Sequence, residues 1–282
     1  VRQARDGLVL DLACGMLGEV LLMTRQASLR FYAELRDFLP EDLRSGEVTR
    51  SFDVPGSVKD LIEACGVPHT EVDLILANSR SVDFSYRVED GDRISVYPRF
   101  ESFDISPIVQ VRPEPLREVR FVADNHLGRL ARFLRLLGLD TRYEPDWSDA
   151  VLVKISTSER RVLLTRDVQL LKIRSLTHGY YVRATDPREQ LTEVVRRLHL
   201  SGGLTPFSRC MACNGVLAPV AKEDIAHRLP PETRAHVDDF VVCTTCDKVY
   251  WEGAHHPELL RIVASARQAD SSGEEHSTVD SR

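Results

Sequence analysis

Phe121-Val-Ala-Asp124-Asn-His-Leu-Gly128 and Val162-Leu-Leu-Thr-Arg-Asp167 each carry a short apolar run to an aspartate and pass directly into a helical pattern. In an open α/β sheet the carboxyl ends of neighbouring strands share one crevice. Two acids delivered this way can face a single divalent ion although 43 positions separate them. Carboxylates hold Mg²⁺ or Mn²⁺ through oxygen, and such ions generate a hydroxide and neutralise a leaving oxygen in phosphodiester hydrolysis. Arg129, Arg132 and Arg135 recur at every third position behind the first aspartate, and Arg166 directly precedes the second. Guanidinium groups so placed suit the phosphates of a nucleic acid. Further on, Cys210-Met-Ala-Cys213 and Cys243-Thr-Thr-Cys246 are separated by 29 residues and supply four thiolates. Four thiolates complete a tetrahedral zinc site with no open position, which makes that ion structural.

These side chains need elements to position them. Arg120–Ala123 reads as a strand with Asp124 at its exit and Asn125 as the helix cap. Leu127, Leu130, Ala131, Leu134 and Leu137 form one apolar stripe that Gly138 ends. Asp140–Tyr143, Val162–Thr165 and Tyr180–Val182 are expected strands, and Ala150–Ser158 an expected helix capped by Ser148. Asp149 then sits in a first turn, where the helix dipole favours a carboxylate, and Asp186 before Pro187 and Glu189 spells a helix start. Asp124 and Asp167 are therefore the leading ligands, followed by Asp149 and Asp186, with Asp146 behind them.

In the cysteine module, Asn214-Gly215 and Asp247-Lys248 supply turns after each pair, and the residues around the second pair read as strands of a zinc ribbon. His255 and His256 are alternative ligands. The segment from Lys222 to His236 reads as a helical insertion broken at Pro230-Pro231. Cys14 and Cys65 stand alone in apolar settings and are expected to be buried.

The chain has 282 residues, 43% hydrophobic and 28% charged, enough for two or three cores. Its net charge of −6 is unevenly spread. Residues 117–200 carry 16 Lys and Arg against 11 Asp and Glu, whereas 28–107 carry 9 against 16 and 201–282 carry 8 against 12. The only basic segment is the one with the acidic centre, as drawing in a polyanion requires. Asp11 and Glu19 interrupt the longest apolar stretch, so neither a membrane span nor a signal peptide is expected, and the location expected is cytoplasmic.

Residues 1–27 fit no downstream pattern and read as an extension, with Met23 as the natural start. Residues 28–100 alternate strand and helix: strands at Ser28–Tyr32, Val48–Val54, Leu74–Ala77, Phe84–Tyr86 and Arg93–Tyr97, with a helix from Ser57 to Ala64. This order and the closing Val88-Glu-Asp-Gly-Asp-Arg-Ile-Ser-Val-Tyr-Pro98 resemble the ubiquitin-like β-grasp family, sulfur carriers in particular. Sulfur carriers end in a free Gly-Gly tail, whereas this chain continues through Pro98 and Phe100, so a binding or scaffolding role is the better reading. Residues 101–116, with three prolines, look like a linker, and the polar tail over 261–282 is expected to be disordered.

The run from Phe121 through Asp167 to Leu191, followed by the cysteine pairs, resembles the Mut7-C RNase domain, a PIN-like nuclease group with an appended zinc ribbon. The resemblance spans roughly residues 119–256. It implies a doubly wound α/β domain over 117–200 with acidic metal-binding positions at Asp124, Asp149 and Asp167, less securely at Asp186, and a zinc ribbon over 201–260. The β-grasp segment resembles the ubiquitin-like domain fused to such nucleases in bacteria. The expectation is a Mg²⁺- or Mn²⁺-dependent ribonuclease acting on RNA, with a protein partner for the β-grasp domain. The alternative is a non-catalytic RNA-binding or adaptor protein working through the β-grasp and zinc-ribbon domains.

Overall fold

The computed structural model describes residues 24–98 and 119–269. The expectations for residues 1–23 (Cys14 included), for the linker and for the chain beyond 269 lie outside the described residues. The first unit contains β1 (Arg25–Phe31), β2 (Val48–Phe52), α1 (Val58–Ala64), β3 (Val72–Ala77), β4 (Arg80–Val82) and β5 (Arg93–Pro98). Its sheet runs β2-β1-β5-β3-β4, with β1 antiparallel to β2 and parallel to β5, a β-grasp arrangement. Alternating side chains of β1 (Ala27, Leu29, Phe31) face Val58 and Ile62 of α1 in one buried core. The Ser57 hydroxyl caps α1 by accepting from Asp60 N–H.

Two expectations shift here. The first strand begins at Arg25, three residues earlier than the pattern of Ser28 suggested. Phe84–Tyr86 is not a strand: β4 follows β3 at once through Asn78 and Ser79, whose φ values of 49° and 67° form a two-residue reversal. The Phe84 and Tyr86 carbonyls instead accept from Lys59 and Val58 N–H at the start of α1.

The second unit comprises β6 (Phe121–Ala123), α2 (Gly128–Leu136), β7 (Thr141–Arg142), α3 (Asp149–Glu159), β8 (Val162–Thr165), α4 (Val168–Leu171), β9 (Gly179–Tyr181) and α5 (Pro187–Arg197). All four strands are parallel, in the order β7-β6-β8-β9. From β6 the chain moves outward to β7, crosses back to β8 and continues to β9, so its direction of travel switches between β6 and β8. Phe121, Ala123 and Leu164 pack with α2 and α5 on one face, while Val122 and Leu163 pack with α3 and α4 on the other. Helices on both faces explain why the strands are apolar throughout rather than alternating. α2 stops at Gly138, whose φ of +85° a side chain would strain.

The third unit has β10 (Leu217–Val220), α6 (Lys222–Ile225), α7 (Pro231–His236), β11 (Phe240–Cys243) and β12 (Val249–Tyr250) in a three-stranded antiparallel sheet, then α8 (His256–Arg267). The expected insertion is the α6–α7 pair, with Pro231 opening α7. α8 corrects the expectation of a disordered tail from 261: Ile262, Val263, Ala266 and Ala269 are buried in the core with α2 and α5. Their helical spacing makes an apolar stripe that the Ser-, Ala- and Gln-rich composition hides.

Both edges of the parallel sheet are covered by the neighbouring units. The outward Tyr181 N–H of β9 donates to Glu71 Oε1 at 2.6 Å, and the Thr141 N–H of β7 donates to Asn214 Oδ1 at 3.0 Å. A short sheet otherwise exposes unpaired edge amides.

Candidate functional site

The residue after β6 is Asp124 and the second after β8 is Asp167, so both stand at the carboxyl ends of adjacent strands flanking the switch point. Thr165 joins them. Its hydroxyl, fully buried, donates to Asp124 Oδ2 at 2.6 Å and accepts from the Asp167 N–H at 2.9 Å. Asp124 is 6% exposed, and its other oxygen accepts from Asn125 N–H at 2.6 Å. Asp124, not Asn125, is therefore the capping residue, and a 3-10 turn over Asn125–Leu127 leads into α2. Tyr143 secures that turn by donating to the Asn125 carbonyl at 3.0 Å. It lies so close to Gly128 that an added Cβ would stand 2.6 Å from its hydroxyl. Asp167 is exposed, and its Oδ1 accepts from Gln169 and Leu170 N–H, leaving the carboxylate at the protein surface.

Asp149 and Asp186 lie at the same end of the sheet, both exposed. Asp149 opens α3, where Ser148 occupies the cap position without a side-chain capping bond. Asp186 caps α5 through Arg188 and Glu189 N–H. Four acids thus stand at four helix starts. Among the described residues, however, the four cysteines are the one group of three or more metal-binding side chains whose ligand atoms lie within 4.8 Å of one another. The carboxylates share an end of the sheet without closing into such a cluster.

Of the arginines assigned to RNA, Arg129 and Arg132 are exposed on α2. Arg135 is not, and this assignment is corrected: it is 3% exposed and donates to the carbonyls of Thr141 at 2.8 Å and Ala212 at 2.7 Å. The period of three carries it from the solvent face onto the flank of the cysteine module, where its donors hold backbone rather than phosphate. Arg166 is half-buried and donates from one nitrogen to the Arg183 and Ala184 carbonyls, tying the exit of β8 to that of β9.

The Sγ atoms of Cys210, Cys213, Cys243 and Cys246 converge, and four cysteines so arranged could hold a metal ion such as zinc. Backbone N–H groups of Gly215, Thr245 and Cys246 point at Cys213 or Cys243 sulfur at 3.4 Å. Burial pushes the Cys210 thiol up, but the Tyr250 hydroxyl at 3.1 Å and the Cys213 and Ala212 amides favour its thiolate and bring it down to about 6. Cys213 is pushed up to about 12 by burial and by the neighbouring sulfurs, because crowded thiolates repel unless a cation joins them. His255 and His256 take no part. His256 stacks on Phe207 and pairs with Glu252.

Thr165 and Tyr250 were not singled out by sequence reasoning, and Asn214 was read only as a turn residue. A threonine two positions before an aspartate, able to accept the following N–H, was the available signal for Thr165.

The chain thus joins a parallel α/β domain bearing acids at the carboxyl ends of its strands to a group of four cysteines that could hold a metal ion. Residues 119–263, more than half of the chain, match the model of the Mut7-C RNAse domain, and residues 24–104 match that of the Mut7-C ubiquitin domain. The chain belongs to the Mut7-C RNAse domain family, which supports a nuclease-like function. No curated protein and no solved structure matches it. No helix among the described residues is long and apolar enough to cross a membrane.

Proposed function

We propose that this protein is a metal-dependent ribonuclease that hydrolyses RNA phosphodiester bonds at the carboxyl end of its parallel sheet, in a PIN-like domain. The observation that carries the reading is the Asp124–Thr165–Asp167 bridge at the switch point, where ligands of open α/β sheets bind. An all-oxygen donor set of two carboxylates fits a hard cation such as Mg²⁺ or Mn²⁺. Bound there, the ion would supply an activated water and neutralise the leaving oxygen. Thr165 fixes the orientation of Asp124, Asp167 presents its carboxylate at the surface, and Arg129 and Arg132 draw in the phosphate backbone. Asp149 and Asp186 border the same crevice as secondary acidic positions. Zinc in the four-cysteine site is closed and structural.

Labelled single-stranded RNA incubated with the purified protein and Mn²⁺ tests this. The parent should cleave, and Asp124→Asn with Asp167→Asn should abolish cleavage while the fold persists. Cleavage that persists in the double variant rules the site out, and salt-dependent RNA binding without any cleavage by the parent favours the adaptor reading.

A further inference from the structure

The β-grasp unit meets the parallel sheet at the strand edge next to the acidic crevice. Glu71, its side chain 1% exposed, reaches across with both oxygens: Oε1 accepts the outward Tyr181 N–H at 2.6 Å and Oε2 lies 3.4 Å from Arg183 Nη2. Arg183 is further held by Asp37 at 3.4 Å and by the Phe38 ring at 5.2 Å. The Arg183 and Ala184 amides donate to Glu193, and their carbonyls receive the guanidinium of Arg166, the neighbour of Asp167. An unbroken line of polar contacts therefore runs from Glu71 through Arg183 to Arg166, the residue before the candidate ligand. His69 Nε2 on the Leu176 carbonyl and Lys172 Nζ on the Glu63 carbonyl fasten the same junction.

We propose that the β-grasp domain is an internal strut of the acidic crevice, and that Glu71 is a positioning residue for the Arg166–Asp167 segment. The proposal rests on the nuclease reading for its kinetic consequence, but its structural consequence can be measured without it. Burying a carboxylate is costly unless its partners compensate, so one placed across a domain boundary and satisfied there fixes a single docking geometry. A domain that only recruited other proteins would have no use for a buried acid aimed at the edge of the sheet.

The test uses the full chain carrying Glu71→Ala or Glu71→Gln, with amide hydrogen exchange and Mn²⁺-dependent RNA cleavage as readouts. The alanine variant should speed exchange of the Tyr181 amide by about tenfold or more and that of Arg183, Ala184 and the 166–167 segment by about threefold. Its kcat should fall about tenfold with KM within about twofold of the parent, since Arg129 and Arg132 are untouched. Glutamine keeps an acceptor for Tyr181 but loses the ion pair, so it should protect Tyr181 while still loosening 183–184. Should the alanine variant fail to fold, the glutamine variant decides by that contrast. Faster exchange confined to Tyr181, or parental exchange at 183–184 in both variants, overturns the proposal. A parent that cleaves no RNA would remove the nuclease reading and leave the exchange measurements to decide on the strut.

Discussion

Replacing Thr165 by valine removes one hydroxyl from a fully buried position and keeps the side-chain volume, so it tests whether the two aspartates form a unit. The hydroxyl donates to a buried carboxylate at 2.6 Å and accepts an amide at 2.9 Å. A hydrogen bond to a charged group contributes about 1.5–3 kcal/mol and a neutral one about 0.5–1.5, so Thr165→Val should lose about 3 kcal/mol of folding stability. Urea unfolding should show this as a lower midpoint with an unchanged slope, because the surface exposed on unfolding stays the same. Under conditions where the variant remains folded, RNA cleavage should fall by about 10- to 100-fold as both carboxylates lose their shared anchor. Thr165→Ser should recover most of both losses. A valine variant within about 0.5 kcal/mol of the parent, or one that is destabilised yet cleaves at the parental rate, would refute the idea of one bridged site.

Three further outcomes follow from the same structure. Treatment with a thiolate-competing chelator, or Cys243→Ser, should release the Asn214 contact with Thr141 and speed exchange of the β7 amides, and unchanged exchange would separate the cysteine module from the sheet edge. Arg132→Ala should weaken RNA binding and flatten its salt dependence with little change in melting temperature, whereas Arg135→Ala should cost about 2–4 kcal/mol of stability by removing buried donors to four backbone carbonyls. Asp140 accepts from Arg161 and Asn214, and although its burial opposes ionisation these partners hold its carboxyl below the ordinary range. That contribution is complete above the unfolded value, about 3.9, and fades as pH falls through the lower folded value. Asp140→Asn should therefore lose stability at neutral pH and show a shallower acid decline than the parent, which pH-dependent urea titrations would register.

The placement of Asp124 and Asp167 was legible because β6 and β8 are apolar runs ending in an acid, a local pattern. The four strands of this sheet and the two cysteine knuckles were legible for the same reason, through spacing within short motifs, whereas the doubly wound arrangement rested on the resemblance to the Mut7-C RNase domain. What escaped was set by contacts far apart in sequence. Arg135 continues the three-residue period of Arg129 and Arg132, and only the arrival of Met211 and Ala212 beside it turns an expected phosphate binder into a buried strut. Glu71 reads as one acid among many in an acidic segment until Tyr181, 110 positions away, is seen to donate to it. α8 was missed because composition was weighed above its apolar spacing, and the Asn78-Ser79 reversal because neither residue is glycine.

The proposed function requires a divalent cation between Asp124 and Asp167. Crystals soaked in Mn²⁺ and measured at an anomalous wavelength address it directly. An anomalous peak is expected within coordination distance, about 2.0–2.3 Å, of carboxylate oxygens of both residues. A Mn²⁺ peak elsewhere on the chain, with this crevice empty, would contradict it.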